Sequence, residues 1–124
     1  MIQHIVIVKW KTGTTEEQVL DACGRAGHMP NEIDGLQRIT VGRNRAESEH
    51  GFTHALIVQL ADEAALARYL DHPVRKRYLT EHLDPIVDQR IDIDVPVDLT
   101  LEREPLASWY WGVGVGMGAL PPDD

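Results

Sequence analysis

Cysteine and basic residues are scarce in this sequence. Cys23 is the only cysteine among 124 residues, so no internal disulfide is available and we expect a reducing, cytoplasmic compartment. Acidic residues outnumber basic residues by 20 to 12, which gives a net charge of −8. A surface of this sign repels a phosphate backbone, and the cationic run at residues 75–77 is too short to reverse it. We therefore expect no nucleic-acid partner.

Long hydrophobic runs are also missing. No segment approaches the about 20 apolar residues that a membrane-spanning helix needs. The apolar residues 1–10 lack the basic region and cleavage site of a signal peptide, so we expect no membrane partner. The composition, 43% apolar and 26% charged, is typical of a folded domain. A chain of 124 residues can bury one hydrophobic core and is too short for two ordinary domains.

Periodic apolar residues predict four strands and two helices. The first helix is expected over about residues 15–27, where Thr14 and Glu17 have the spacing of a capping box. Apolar residues alternate, or run continuously, in the four strand segments. These segments lie near residues 2–10, 35–44, 51–60 and 90–99. The predicted order is therefore β-α-β-β-α-β.

The second helix is predicted to start after Asp62 and to break at His72-Pro73. Proline suits the first turn of a helix, because its missing N–H would have no partner there. Proline also keeps the residue before it out of helical geometry. We therefore interpret His72 mainly as the junction between two helical segments.

This order predicts an α+β, ferredoxin-like fold with a four-stranded antiparallel sheet. Right-handed crossovers place both helices on one face of that sheet. The first and third strands carry apolar residues on both faces, as Val6 and Ile7 illustrate in the first strand. The uncovered face therefore needs a partner, and a second copy of the chain is the economical choice. We expect a homodimer.

Three motifs in order give the sequence a family resemblance. They are the histidine of the first strand, the segment "GFTHA" that starts the third strand, and "YLDHP" at the helix break. Residues 1–98 resemble the stress-responsive dimeric α/β barrel family, often called the Dabb domain. The resemblance implies that two sheets close into a barrel, with a ligand cavity between sheet and helices in each subunit. Residues 99–124 form a glycine-rich and aromatic extension beyond the family pattern, which we expect to pack against the barrel.

The resemblance also implies candidate site residues. Similar proteins include polyketide cyclases and hydroxynitrile lyases, and in the cyclases the positions of His4, His54 and Tyr69 lie at or near the cavity. The principal cyclase histidine is replaced here by Arg75, which stays protonated and cannot act as a base. Arg75 is instead expected to hold an acidic or enolate-like group, with Tyr69 donating and His4 or His54 exchanging protons.

Structural interpretations of the same residues remain open. Arg75 can be a solvated helix charge, and His4, His54 and Tyr69 can be core residues. Because the first and third strands are adjacent, we expect both imidazoles to approach one point. The pattern supplies no third ligand beside them, so we predict neither a metal site nor a cofactor.

Two functions follow from this interpretation. The first is a small-molecule enzyme, with cyclase- or lyase-type acid–base chemistry on a mostly apolar, polyketide-like metabolite. The second is a non-catalytic stress-responsive or ligand-binding barrel protein. An open pocket that joins His54, Tyr69 and Arg75 favours the enzyme, whereas a cavity filled by side chains favours the binding protein.

Overall fold

The computed structural model describes residues 1–47 and 50–97, so the expected packing of residues 99–124 lies outside the described residues. A four-stranded antiparallel sheet runs from the strand at residues 36–43 through those at 54–60 and 2–10 to that at 87–96, and this confirms the predicted ferredoxin-like fold. The main elements are β1 (Ile2–Trp10), α1 (Glu16–Ala26), β2 (Leu36–Arg43), β3 (His54–Leu60), α2 (Glu63–Asp71), α3 (Pro73–Tyr78) and β4 (Val87–Pro96). Short helical turns at Met29–Asn31, Leu79–Leu83 and Asp84–Ile86 complete the helical layer.

The capping box of α1 begins one residue later than predicted. The Thr15 hydroxyl accepts from the Gln18 backbone N–H at 3.1 Å, and the Gln18 side chain accepts from the Thr15 N–H at 2.9 Å. The predicted pair of Thr14 and Glu17 was wrong, because glutamine serves in this motif as well as glutamate. The helix itself lies where the sequence places it.

His72 separates α2 from α3, as predicted. Its backbone is extended, with φ −73° and ψ 135°, and Pro73 occupies the first turn of α3. The Nδ1 atom of His72 accepts from the Val74 N–H at 3.1 Å, so the imidazole caps the new helix. The side chain thus satisfies a helix terminus.

The sheet has one covered face and one face open to solvent in the single chain. Alternate residues of β1 and β3 are buried against the helices, and they include His4, Val6, Leu56 and Val58. The open face carries Ile91, Ile93 and Val95 of β4, which are 48%, 44% and 40% exposed. The predicted apolar character of both faces is therefore present in the structure.

Candidate functional site

His4 and Asp94 form a close pair on the helix side of the sheet. The β1–β4 register places the two residues side by side, so their side chains leave the sheet on the same face. Nδ1 of His4 lies 2.6 Å from Oδ1 of Asp94. His4 is only 1% exposed, and its Nε2 has no hydrogen-bond partner among the described residues. One imidazole nitrogen is therefore held by Asp94, and the other is buried without a hydrogen bond from the described residues.

Tyr69 and Arg75 bring helix side chains to the same place. The ring of Tyr69, from α2, meets the His4 ring edge-on with centroids 5.4 Å apart. The guanidinium carbon of Arg75, from α3, lies 5.1 Å from the centre of the Tyr69 ring. Arg75 is only 9% exposed, so its interpretation as a solvated helix charge is wrong. The cation instead lies in the protein interior against an aromatic face.

The Tyr69 hydroxyl is set up to donate a hydrogen bond. Burial raises the pKa of Tyr69, and the positive charge of Arg75 opposes that rise without reversing it. The phenol therefore keeps its proton at neutral pH. Tyr69 can supply a hydrogen bond to a developing negative charge, and it is poorly suited to act as a base.

Asp92 is the central residue that sequence reasoning missed. Its Oδ1 forms an ion pair with Nε of Arg90 at 3.1 Å, and its Oδ2 lies 3.8 Å from Nη2 of Arg75. The same Oδ2 is 3.9 Å from Nε2 of His4. The signal was present in the sequence, since Asp92 and Asp94 alternate with isoleucines in the last strand. The predicted topology already placed that strand beside His4.

The cleft between sheet and helices is narrow. Its free volume is about 10 Å³, roughly the space that one water molecule needs. Tyr69, Arg75, Arg90 and Asp92 form its polar lining, and the rest is apolar side chains of the strands and helices. Side chains therefore fill most of the predicted cavity.

His54 lies at a different position from this group. It pairs with Val8 of β1, whereas His4 pairs with Val58. Four residues along a strand separate the two histidines by about 13 Å. The expectation that both imidazoles approach one point was wrong, because strand adjacency alone does not fix the register.

The surroundings of His54 keep its ring neutral. Its Nδ1 accepts from Nε1–H of Trp10 at 3.0 Å. Burial lowers the pKa of His54, and the positive charge of Arg43 lowers it further. These contacts are those of a packed core histidine.

Comparison with known proteins assigns the fold to a family. The sequence profile of the stress-responsive A/B barrel domain matches residues 2–97. The chain belongs to this family. No curated protein sequence matches it.

Within the described ranges, no helix is long and apolar enough to cross a membrane, and no three His, Cys, Asp or Glu side chains are arranged to hold a metal ion.

Three solved structures illustrate the range of similar proteins. A dimeric ferredoxin-like protein of unknown function from Thermobifida fusca is 22% identical, with a TM-score of 0.64 over 75% of this chain and 87% of its own. The hydroxynitrile lyase of Passiflora edulis is 17% identical, with a TM-score of 0.71 over 82% and 96%. A variant of SnoaB, a cofactor-independent oxygenase from Streptomyces nogalater, is 18% identical, with a TM-score of 0.65 over 82% and 97%. At these identities the likeness establishes the fold.

Proposed function

We propose that this chain is a small-molecule enzyme that uses His4 as a general base, in cyclase- or lyase-type chemistry. One observation carries the proposal. A buried imidazole is held by Asp94 through Nδ1, while its Nε2 has no hydrogen-bond partner in the described part of the chain. The His4 ring contacts Tyr69, and the guanidinium of Arg75 lies over the same Tyr69 ring. Buried polar atoms are rarely left without partners unless they interact with something else.

The carboxylate of Asp94 gives His4 its role. A carboxylate beside Nδ1 keeps the proton on that nitrogen, so the lone pair of the neutral ring is on Nε2. It also stabilises the imidazolium that forms when Nε2 takes a proton. The pair of His4 and Asp94 can thus take up a proton at Nε2 and release it again.

Arg75 and Tyr69 complete the reaction by stabilising the anion that proton removal creates. In the lyase direction, Nε2 of His4 takes the proton of a substrate hydroxyl. The oxygen electron pair forms a carbonyl while the neighbouring carbon–carbon bond breaks, and the departing carbanion takes the proton back from His4. Arg75 and the Tyr69 phenol donate hydrogen bonds to the transient oxyanion.

In the cyclase reaction, the same groups form a carbon–carbon bond instead of breaking one. His4 removes a proton from an acidic carbon, and the resulting enolate attacks a carbonyl carbon of the same molecule. The oxygen of that carbonyl takes the proton from His4, so the bond count and charge balance. The apolar lining of the cleft suits a mostly apolar metabolite.

Ligand entry requires that the helices move from the sheet, because the cleft holds roughly one water molecule. Met29 lines the cleft from a short helical turn, and an unbranched methionine adapts easily to a new packing. The alternative function is a non-catalytic stress-responsive or ligand-binding barrel protein, and the narrow cleft favours it. The Nε2 atom of His4, which has no hydrogen-bond partner among the described residues, favours the enzyme.

The proposed assembly is a homodimer built through the open face of the sheet. Ile5 pairs with Ile93 and Ile7 pairs with Ile91 on that face, where they form an apolar surface in the single chain. A second copy packed sheet to sheet covers this surface. The Thermobifida fusca protein is described as dimeric, which supports a homodimer of this chain.

Two probe substrates test the reaction. Mandelonitrile releases benzaldehyde on cleavage, and a linear aryl polyketone changes its absorbance on aldol cyclisation. We expect turnover of at least one probe, and a loss of about 100-fold or more in the His4→Phe variant, as for removal of a general base. His28→Phe makes the same change at an exposed histidine and keeps wild-type turnover.

The non-catalytic alternative makes a different prediction. A probe then binds without turnover, or any turnover is the same in wild-type protein and His4→Phe. Either result contradicts the proposed enzyme.

A further inference from the structure

We propose that Asp92 determines the specificity of this site, which takes a neutral hydroxyl- or enol-bearing ligand and rejects a carboxylate. The proposal rests on the proposed function, because it concerns the ligand of the same site. It departs from the sequence-based expectation that Arg75 anchors an acidic group. The reason lies in how the charges and the hydrogen-bond donors of the site are already used.

The charged groups of the site leave no spare positive charge before any ligand binds. Arg75 and Arg90 contribute two positive charges, whereas Asp84, Asp92 and Asp94 contribute three negative charges. Asp92 lies between the two arginines, 3.1 Å from Nε of Arg90 and 3.8 Å from Nη2 of Arg75. A carboxylate ligand would add a further negative charge that no described group in the site neutralises, and burying such a charge is costly.

Groups of the protein already face Arg75. Its Nη1 donates to the Leu70 carbonyl at 3.3 Å, its Nη2 lies 3.8 Å from Asp92, and its guanidinium carbon lies over the Tyr69 ring. The Nε atom is buried and has no hydrogen-bond partner among the described residues. A carboxylate binds arginine best through two parallel N–H groups. On the side of Nε and Nη2, a carboxylate ligand would have to compete with Asp92 for the second of these N–H groups.

Nε of Arg75 and Nε2 of His4, which both lack a partner in the described part of the chain, differ in the hydrogen bond that they can make. Nε of Arg75 is always a donor, and Nε2 of His4 is an acceptor when Nδ1 holds the proton beside Asp94. A hydroxyl or enol oxygen matches both in chemistry, because it can accept from Arg75 and donate its proton to His4. A carboxylate group itself has no proton to give at neutral pH, so it cannot satisfy the His4 nitrogen.

A matched pair of probes tests this inference. Mandelamide and mandelate share the phenyl ring and the α-hydroxyl, but only mandelate is charged. We expect titration calorimetry at pH 7.5 to give wild-type protein an affinity for mandelamide at least about tenfold above that for mandelate. Asp92→Asn removes the repelling charge and frees Arg75, so mandelate gains about tenfold or more in affinity. Asp88→Asn, at an exposed aspartate of the same strand, keeps the wild-type ratio.

Several results overturn the inference. The inference fails if wild-type protein binds mandelate as tightly as mandelamide. It also fails if Asp92→Asn leaves the ratio of the two affinities unchanged. Absence of binding by both probes in both proteins also counts against it. Circular dichroism checks the folding of each variant, and Asp92→Ser is a second way to remove the charge. If turnover depends on His4, but the preference for mandelamide over mandelate does not depend on Asp92, the inference fails and the proposed function stands. If selectivity depends on Asp92 without any turnover, the proposed catalysis fails.

Discussion

The indole N–H of Trp10 donates to Nδ1 of His54 over 3.0 Å, across the adjacent strands β1 and β3. Nδ1 can accept this bond only while it carries no proton. The Thr53 hydroxyl oxygen lies 3.0 Å from the same nitrogen, so two side chains hold this ring. The pair therefore couples packing at this end of the sheet to the protonation state of one histidine.

We predict that folding stability falls as the pH drops through the range of His54. The pKa of His54 is lowered by burial, from a usual value of 6.5. The unfolded chain thus takes up this proton at a higher pH than the folded chain does. The stabilisation is fully present above the unfolded-state pKa and is lost as the pH falls toward the folded-state pKa. Urea midpoints at pH 7.5 and 5.5 measure this loss.

The control separates His54 from the other titrating groups. His54→Gln removes the titration, so its midpoint should fall less between the two pH values than that of wild-type protein. His28→Gln changes an exposed histidine and should behave as wild type. Equal pH dependence in His54→Gln and wild type would contradict the assignment.

A second prediction concerns the carboxylate beside His4. Asp94→Asn keeps the size of the side chain but favours the wrong tautomer of His4, because the amide can donate to Nδ1. We expect turnover of a probe substrate to fall about 10²- to 10⁴-fold. The downfield imidazole N–H resonance expected for the short bond to Asp94 should disappear in the proton NMR spectrum.

Asp88→Asn is the matched control for this prediction, since Asp88 is an exposed aspartate of the same strand. It should keep both turnover and the resonance. Full turnover in Asp94→Asn would mean that His4 needs no carboxylate for its chemistry.

A third prediction concerns the turn that leads into β2. Gly35 has a φ of +87°, and an added Cβ would lie 2.5 Å from Cβ of Ala65. Gly35→Ala should therefore destabilise the fold by about 2–4 kcal/mol, from backbone strain and overpacking together. Gly24→Ala, at an unobstructed site in α1, should instead stabilise it by about 0.5–1 kcal/mol. Urea unfolding of both variants tests the pair, and a mild effect at Gly35 would contradict the tight packing.

The sequence predicted the strands because periodicity is a local property. Ile2–Trp10 is found as predicted, and β3 and β4 begin three residues later and three residues earlier than expected. The family resemblance placed Tyr69 and Arg75 near the cavity, and the structure brings these two together. What the sequence could not give was the register, which separates His54 from His4.

The missed carboxylates have a related explanation. Asp92 and Asp94 look like the solvent-facing positions of an alternating edge strand, and β4 is indeed mostly exposed. Their role depends on the pairing of β4 with β1, which places Asp94 directly beside His4. A polar residue on the buried face of one strand calls for a partner on its neighbour, since buried polar groups are hydrogen-bonded. For His4, the neighbouring strand that carries such a partner is the edge strand β4, which places Asp94 beside it.

The final prediction concerns the open face of the sheet. Ile93 pairs with Ile5 there and is 44% exposed in the single chain. In a symmetric dimer both copies place this residue in the shared interface, so Ile93→Lys introduces two charges at once. Burying unpaired charges is costly enough to separate the subunits. Sedimentation at micromolar concentration should give wild-type protein twice the 13.9 kDa chain mass, and should give the variant the mass of a single chain.

Leu20→Lys provides the matched control for this face. Leu20 is 64% exposed on α1, so the same chemical change there lies away from the sheet and should leave the dimer intact. A single-chain mass for wild-type protein would remove the argument for a closed barrel. A dimeric Ile93→Lys would place the interface on another surface, and the apolar residues of the open face would then need a different partner.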